Sequence, residues 1–405
     1  MAEASLKLGG DWATKDGSLL GFNDQNGNYK PIPFDFTRAT TATRVNRNGL
    51  IEEVQAGVPR IDFLDNPDGS LKLEPQRTNS ITRSEDFNIT WGKNDVTVSA
   101  DATISPDGTQ NADKLVETNT LAFHFVSFGT TINAEPTVFS FYAKAAERTS
   151  VSAFLSQSGN VGANFDLSAE TATANGTGNT ASIESVGNGW YRCIIINDGS
   201  ADLNNSVRIG IQNGALNSYQ GDGTSGIYIW GAQLEINESY PTSYIKTSGS
   251  AVTRNADACN NAETTFNDSE GVLYAEFKNE DTTNYRLISI SDGTDNNRIF
   301  LGTRLTTGYI YYFVISGGST QASYITTDLA SDFTKVAVKY KANDFALWIN
   351  GIEVSTDSSG STPTGLDVLQ FNGGSGIWDF YGNCKEVRVY NTALTDTELQ
   401  ELTTI

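Results

Sequence analysis

Length, composition and charge place this chain among multidomain globular proteins that are rich in turns. It has 405 residues, of which 38% are hydrophobic and 10% are aromatic. Glycine occurs 38 times. That length exceeds one ordinary core and predicts two or three domains, and the aromatic content excludes a disordered chain. The formal net charge of −21 repels phosphate backbones, so we expect no nucleic-acid partner.

Cysteine spacing and hydropathy indicate the cellular compartment in which the protein is made. Cys193, Cys259 and Cys384 are odd in number and widely spaced, which predicts buried thiols and neither a disulfide framework nor a zinc site. The first residues lack the apolar segment of a signal peptide. No apolar run approaches the roughly 18 residues of a membrane span. We therefore expect synthesis in a reducing cytoplasm without a signal peptide, and no membrane insertion.

Residues 1–80 are dense in turn signals. These signals fall at residues 23–28, 48–49 and 65–69, and only short extended pieces lie between them. A segment this polar and broken predicts an irregular N-terminal arm without a core of its own. We expect residues 1–35 to attach the protein to other subunits, because such segments become ordered against a partner.

Residues 81–248 carry short runs in which apolar and polar residues alternate. Residues 137–143 and 191–196 are two such runs, and glycine- and asparagine-rich turns separate them from their neighbours. Alternation with period 2 between frequent turns is typical of a β-sandwich or jelly roll.

A polar linker at residues 247–254 precedes a second β region, residues 262–405. Asn350 and Gly351 predict a tight hairpin there. Thr395 and Glu398 form the capping box of a short C-terminal helix. The predicted fold class is therefore all-β, with two jelly-roll or β-sandwich domains in tandem, an irregular N-terminal arm and one short C-terminal helix.

Several short phrases, in a fixed order over about residues 35–258, together resemble a family of phage tail and virion proteins. They are residues 36–40 (FTRAT), 42–46 (ATRVN), 73–79 (LEPQRTN), 84–87 (SEDF) with Trp91, 186–192 (VGNGWYR), 229–235 (IWGAQLE) and 240–245 (YPTSYI). The middle domain is also similar to the jelly rolls of carbohydrate-binding modules. Residues 335–354 and 386–395 resemble a laminin-G/concanavalin-type lectin domain.

The resemblance implies a place on the virion surface and contact with host glycans. It implies other virion proteins as partners, which we expect to be reached through the N-terminal arm, and a homo-oligomer, because fibres and spikes are commonly symmetric. Tail fibre, minor tail protein and head fibre stay open as alternatives.

Catalytic signals are weak in this sequence. His124 is the only histidine, and its flanking residues alternate as in a strand, which favours a buried ring with satisfied nitrogens over a catalytic triad. A glycosidase needs only two carboxyl groups. Concanavalin-like glucanases place several acids along one strand, whereas the run at residues 274–277 contains Glu276 alone. We expect no enzymatic activity.

The resemblance to carbohydrate-binding modules implies a structural calcium ion between the first and last strands of the middle domain. The matching positions are Glu85, Asp86 and Glu235. Hard carboxylate oxygens from two distant strands would hold the domain closed. The alternative is that these carboxylates are surface groups or hydrogen-bond acceptors.

Aromatic rings that stack on sugars are the usual signal of a β-sheet lectin site. The candidates are Trp91, Trp190, Tyr228, Trp230, Tyr309, Tyr311, Tyr312, Trp348 and Trp378. A tryptophan within a strand pattern more often belongs to the core. Trp378 instead follows a glycine-rich loop at residues 373–376, so Trp378, Asp379 and Tyr381 are the predicted glycan-binding residues.

Three classes of function remain open on the sequence. The chain could be a virion adhesin or fibre module that binds host glycan. It could be a purely structural capsid decoration or fibre protein without glycan binding. A glycan-degrading enzyme is the third class. Jelly rolls serve both binding and scaffolding, so the fold does not separate the first two.

Overall fold

The computed structural model describes residues 4–15, 18–23, 28–32, 34–155, 161–201, 206–260, 262–263, 265–279, 281, 284–304, 309–329 and 332–405. It is almost entirely β, which confirms the predicted fold class. In these ranges no helix is long and apolar enough to cross a membrane. Residues 24–27 of the first predicted turn lie outside the described residues.

The strands are numbered along the chain. The first twelve are β1 (Leu6–Lys15), β2 (Ser18–Asn23), β3 (Asn28–Ile32), β4 (Asp35–Thr37), β5 (Ala42–Val45), β6 (Ile51–Val54), β7 (Arg60–Asp62), β8 (Ser70–Leu73), β9 (Arg77–Asn79), β10 (Gly92–Asn94), β11 (Val96–Ile104) and β12 (Gln110–Glu117). The next twelve are β13 (Leu121–Phe123), β14 (Phe125–Gly129), β15 (Thr137–Ala145), β16 (Ser150–Phe154), β17 (Gly162–Asp166), β18 (Thr171–Asn175), β19 (Asn179–Ser185), β20 (Trp190–Asn197), β21 (Ser206–Gln212), β22 (Ser218–Gln220), β23 (Gly226–Ile236) and β24 (Val252–Arg254). The remaining elements are β25 (Ala258–Asn260), β26 (Ala262–Glu263), β27 (Glu270–Lys278), β28 (Arg286–Ser291), β29 (Arg298–Thr303), β30 (Tyr309–Ser316), β31 (Ser319–Leu329), β32 (Thr334–Lys341), β33 (Phe345–Ile349), β34 (Ile352–Asp357), β35 (Val368–Gln370), β36 (Gly382–Tyr390) and the helix α1 (Asp396–Thr403).

The chain divides into two compact units. Unit 1 comprises Met1–Thr41, Val54–Pro75 and Asn255–Ile405, and unit 2 comprises Ala42–Glu53 and Gln76–Arg254. The chain passes from unit 2 back into unit 1 between Arg254 and Asn255, at the end of the segment predicted as a linker.

Unit 1 is a sandwich of two antiparallel sheets. The larger sheet has the order β3-β2-β1-β36-β27-β32-β33-β34, with β8 on β36 and β7 on β8. The smaller sheet has the order β26-β35-β28-β29-β30-β31. Successive side chains of a strand point to opposite faces, so each sheet contributes one apolar face to the core between them. Leu273 and Val338 line that core from the larger sheet, and Ile299 and Tyr312 from the smaller.

The opposite face of the larger sheet is covered by the C-terminal helix. Leu399 and Leu402 of α1 are buried with Trp348 and Tyr390 of the sheet. The Thr395 side chain accepts the Glu398 backbone N–H, and the Glu398 side chain accepts the Thr395 backbone N–H, which confirms the predicted capping box. Asn350 and Gly351, both with positive φ, join β33 to β34 as the predicted hairpin.

The N-terminal 80 residues differ from the predicted irregular arm. They contain β1 to β9, and β1 pairs with β36 so that Leu6 lies opposite Val389. Leu6, Leu8 and Trp12 are buried in the core of unit 1. These short apolar runs lack a core of their own, and they obtain one by pairing with a strand at the far end of the chain. Residues 42–53 belong instead to unit 2.

A buried network of ion pairs joins the three segments of unit 1. Arg38 Nη1 donates to Asp257 Oδ1 at 2.8 Å, and Arg60 donates to the other oxygen of Asp257. Arg60 Nη1 also donates to Glu74 Oε2 at 2.7 Å. Burial alone would lower the pKa of Arg60, but the carboxylates of Asp257 and Glu74 outweigh it and raise that pKa. All four side chains are buried, so each charge depends on the others.

Unit 2 is a second sandwich of two six-stranded antiparallel sheets. Their orders are β10-β14-β21-β16-β17-β18 and β11-β12-β23-β15-β20-β19. The predicted strands at residues 137–143 and 191–196 are β15 and β20, which are neighbours. Phe139 and Phe141 of β15 pack in the core between the sheets, against Val151 and Ile209 of the facing sheet.

The outer face of the sheet that contains β15 carries an aromatic cluster. Trp190, Trp230, Tyr142 and Tyr244 are buried there together with Ile51, which lies in the hairpin of β5 and β6. The Trp230 and Tyr244 ring centroids are 4.6 Å apart. Two of the motif tryptophans of the sequence therefore serve packing in unit 2.

We predict that Asp257→Asn destabilises unit 1 by about 3–5 kcal/mol, because it removes the charge that two buried arginines share. Urea unfolding followed by circular dichroism measures the effect. Asp367→Asn is the matched control, since Asp367 is an exposed side chain of the same unit, and it should change stability by less than about 0.5 kcal/mol. Equal stability of the two variants would contradict the role of the network.

Candidate functional site

An aromatic groove lies on the outer face of the smaller sheet of unit 1. Along β29 and β30 the residues alternate between the core and this face, so that Ile299 and Tyr312 enter the core while Phe300 and Tyr311 face outward. The groove has a volume of about 340 Å³. Its lining residues are Tyr285, Arg298, Phe300, Arg304, Tyr311, Phe313, Ile315, Thr320, Ile325 and Trp378.

The rings of the groove form a continuous series of contacts. The Trp378 and Tyr285 ring centroids are 5.2 Å apart, and those of Tyr285 and Tyr311 are 5.6 Å apart. Phe300 continues the series, with its centroid 5.6 Å from Tyr311 and 5.4 Å from Phe313. Burial raises the pKa of Tyr311, so its hydroxyl is neutral near pH 7. Phe300 and Tyr311 are only 4% exposed and form the floor of the groove. The ring surface open to a ligand belongs to the half-buried Trp378, Tyr285 and Phe313, and such rings stack on sugars.

Arg298 places a cation among these rings. Its guanidinium carbon is 5.2 Å from the Phe300 ring centroid and 5.8 Å from that of Trp378. Nη1 is 2.5 Å from Asp295 Oδ1 and also donates to the Gly373 carbonyl. Only 7% of Arg298 is exposed, and burial lowers its pKa. Its Nε is a buried donor for which the described residues provide no acceptor.

The loop before Trp378 holds its ring at the groove. A Cβ on Gly373 would lie 2.9 Å from a Trp378 ring carbon, so only glycine permits this approach. Trp378 itself has a φ of +62°, in the left-handed region that large side chains rarely occupy. Strain of this kind persists where surrounding structure enforces it, and it is a signal of function.

The other two predicted glycan-binding residues lie in a different environment. The Arg286 guanidinium carbon is 4.5 Å from the Tyr381 ring centroid, and Arg286 Nη1 donates to the Asp379 carbonyl at 3.1 Å. The Asp379 carboxylate accepts the Tyr381 hydroxyl at 3.5 Å, and its pKa is raised by burial. Of the predicted triad, Trp378 lines the groove, while Asp379 and Tyr381 pack on Arg286.

Most of the other candidate rings are core residues. Trp91, Trp190, Trp230, Tyr312 and Trp348 are all buried. Tyr311 also lies at the groove, but it is only 4% exposed and belongs to the floor of the groove. Tyr285, Arg298 and Arg304 were not predicted. Phe300 and Phe313 were not predicted either, because outward and inward positions of β29 and β30 are both apolar and periodicity alone does not separate them.

His124 is a buried residue of unit 2. Its Nδ1 lies 2.6 Å from the Asp95 carbonyl oxygen, and its Nε2 lies 3.3 Å from that of Tyr219. The ring is thus enclosed by backbone acceptors, in the environment that the sequence favoured for it.

The three carboxylates assigned to calcium are not brought together. Glu235 accepts the Thr242 hydroxyl at 2.5 Å, whereas Glu85 pairs with Lys246 at 2.7 Å. Asp86 Oδ2 lies 3.6 Å from Arg83 Nη1. Within the described ranges no group of three or more acidic, histidine or cysteine side chains is suited to hold a metal ion. As placed, these residues do not fit a calcium site, because hydroxyl or basic donors already engage each carboxylate.

Comparison with known proteins identifies the class of the C-terminal region. Residues 253–400 match the sequence profile of the concanavalin A-like lectin/glucanases superfamily. Unit 1 therefore contains a lectin-like β-sandwich, and the groove lies on one of its two sheets. No curated protein matches the chain.

Three solved structures illustrate the likeness. The CBM40 of the Ruminococcus gnavus IT-sialidase is 19% identical, with 34% of this chain and 84% of that chain covered and a TM-score of 0.30. Domain 4 of the Geobacillus stearothermophilus arabinanase AbnA, in complex with arabinotriose, is 17% identical, with 42% and 84% covered and a TM-score of 0.31. Domains LG4-5 of the mouse laminin α1 chain are 12% identical, with 69% and 90% covered and a TM-score of 0.25. At these scores no property of those proteins is carried to this chain.

We predict that Trp378→Gly is more stable to urea than Trp378→Ala by about 1 kcal/mol, because glycine removes the cost of the left-handed backbone. Both variants lose the same ring. Phe313 in β30 gives the matched control, where glycine should be less stable than alanine by about 0.5–1 kcal/mol. If the glycine variant were less stable than the alanine variant at both positions, strain at Trp378 would be contradicted.

Proposed function

We propose that this protein is a bacteriophage virion surface protein that binds host glycans in the aromatic groove of unit 1. The observation that carries the glycan part is the series of rings from Trp378 to Phe313 along a groove of about 340 Å³. A sugar presents one apolar face of C–H groups, and aromatic side chains contact such faces with little loss of conformational freedom. Cations at the groove can hydrogen-bond to the sugar's polar edge.

The virion part of the proposal rests on the ordered phrases of residues 35–258. Partners in the particle would be other virion proteins and further copies of this chain. β3 lies at the edge of the larger sheet of unit 1, and an edge strand offers unpaired backbone groups to a neighbouring chain. We therefore propose that other virion proteins bind the N-terminal segment at the edge strand β3.

Binding without cleavage completes the proposal. A purely structural virion component would have the same fold but would bind no glycan, and a glycan-degrading enzyme would release new reducing ends from its ligand. Both alternatives are outcomes of the measurements below.

We predict that Trp378→Ala lowers the affinity for a glycan selected from an array at least about tenfold, because one stacking ring is worth roughly 1–3 kcal/mol. Trp378→Phe should lie between this variant and the natural chain. The control is Tyr324→Ala, since Tyr324 is an exposed ring of the same sheet outside the groove lining. Unchanged binding by folded Trp378→Ala would refute the groove, and reducing-end release would identify an enzyme.

We also predict that phage particles purified from the host of this gene contain the chain in fixed copy number. Quantitative mass spectrometry of gradient-purified particles measures that number, and antibody labelling viewed by electron microscopy locates the chain at the surface. The major capsid protein serves as the internal standard. Absence of the chain from infectious particles would end the virion assignment.

A further inference from the structure

Two arginines line the aromatic groove of unit 1. Arg298 begins β29 opposite Ile315 of β30, and Arg304 follows the other end of β29. The whole chain carries a net charge of −21, so two cations that line one groove are a local exception on an acidic surface. A concave site concentrates the field of such charges.

Arg298 is built into the groove in a way that favours an anion. Its guanidinium is buried beside the Phe300 and Trp378 rings, and Nε lacks an acceptor among the described residues. Because the protein encloses Nε, a ligand would be attracted by the guanidinium charge, and burial beside apolar rings strengthens that attraction relative to an open surface. Asp295 neutralises part of this charge through Nη1, but Asp295 is itself 55% exposed at its side chain and is therefore screened by water.

We propose that the groove selects acidic glycans, with sugar carboxylates held by Arg298 at one end and Arg304 at the other and the sugar ring stacked on Trp378 and Tyr285. This inference rests on the proposed glycan-binding function and narrows it to one class of ligand. Guanidinium groups match carboxylates in geometry and form charge-assisted hydrogen bonds with them. The rings supply the contact area, and the arginines supply the selectivity.

The test compares uronic- and sialic-acid-containing oligosaccharides with the same oligosaccharides after chemical reduction of the carboxyl groups to alcohols. Reduction removes the charge and keeps the sugar backbone, so any difference in affinity reports the carboxylate. We expect the full chain to bind acidic forms at least about tenfold more tightly. We expect that preference to shrink when salt is raised from about 20 to about 300 mM, because salt screens the attraction.

Two variants at Thr320 test the charge of the groove without removing a buried side chain. Thr320 is exposed and lines the groove. Thr320→Glu should weaken binding of the acidic form about fivefold, the effect of one exposed charge, and Thr320→Lys should maintain or strengthen it. Neither should change binding of a reduced form. Lys341→Gln is the control, because it lowers the net charge like Thr320→Glu but Lys341 pairs with Glu270 outside the groove lining.

Arg298→Gln and Arg304→Gln complete the set, with thermal melting to check folding. Each folded variant should lose most of the preference for the acidic form. Equal binding of acidic and reduced forms would overturn the acidic selectivity and leave glycan binding in place. Binding confined to reduced or neutral glycans would also overturn the acidic selectivity and leave glycan binding in place. If no oligosaccharide binds, both the selectivity and the proposed glycan function fail.

Discussion

The buried pairing of Arg38 and Arg60 with Asp257 is the interaction on which the arrangement of unit 1 depends. The unit is assembled from three separate stretches of chain, and these ion pairs take one member from each. Apolar contacts tolerate sliding, whereas a carboxylate that accepts from two guanidinium groups fixes one register. The Glu74 backbone N–H also donates to Asp257 at 2.8 Å, so the main chain of the middle stretch is held by the same group.

Once those stretches are fixed, the alternation of side chains along each strand determines which residues face the core and which face outward. The central strands β27, β32, β33 and β36 of the larger sheet bury side chains on both faces, some against the smaller sheet and others beneath α1. The smaller sheet buries one face in the core, and on its other face it presents the groove. Position in the fold, more than composition, thus determines which aromatic side chains are available to a ligand.

Local signals in the sequence predicted local structure well. Alternation gave the strands of both sandwiches, Asn350 and Gly351 gave a hairpin, and Thr395 with Glu398 gave the helix start. The N-terminal strands escaped prediction because β1 pairs with residues such as Val389, and no local pattern reports a partner that distant. For the site, the glycine-rich loop indicated Trp378. Asp379 and Tyr381 were separated from it, because a chain that turns beside Arg286 does not keep neighbours on one surface.

The separation of core and groove along β29 and β30 has an evolutionary consequence. Groove residues such as Phe313 and Ile315 occupy alternate positions to core residues such as Tyr312 and Val314, so exchanges there leave the packing of the facing sheet intact. Ligand preference can then drift by single substitutions while the scaffold persists. Under the proposed function, such exchanges would let related particles diverge in the hosts they recognise without first acquiring a new fold.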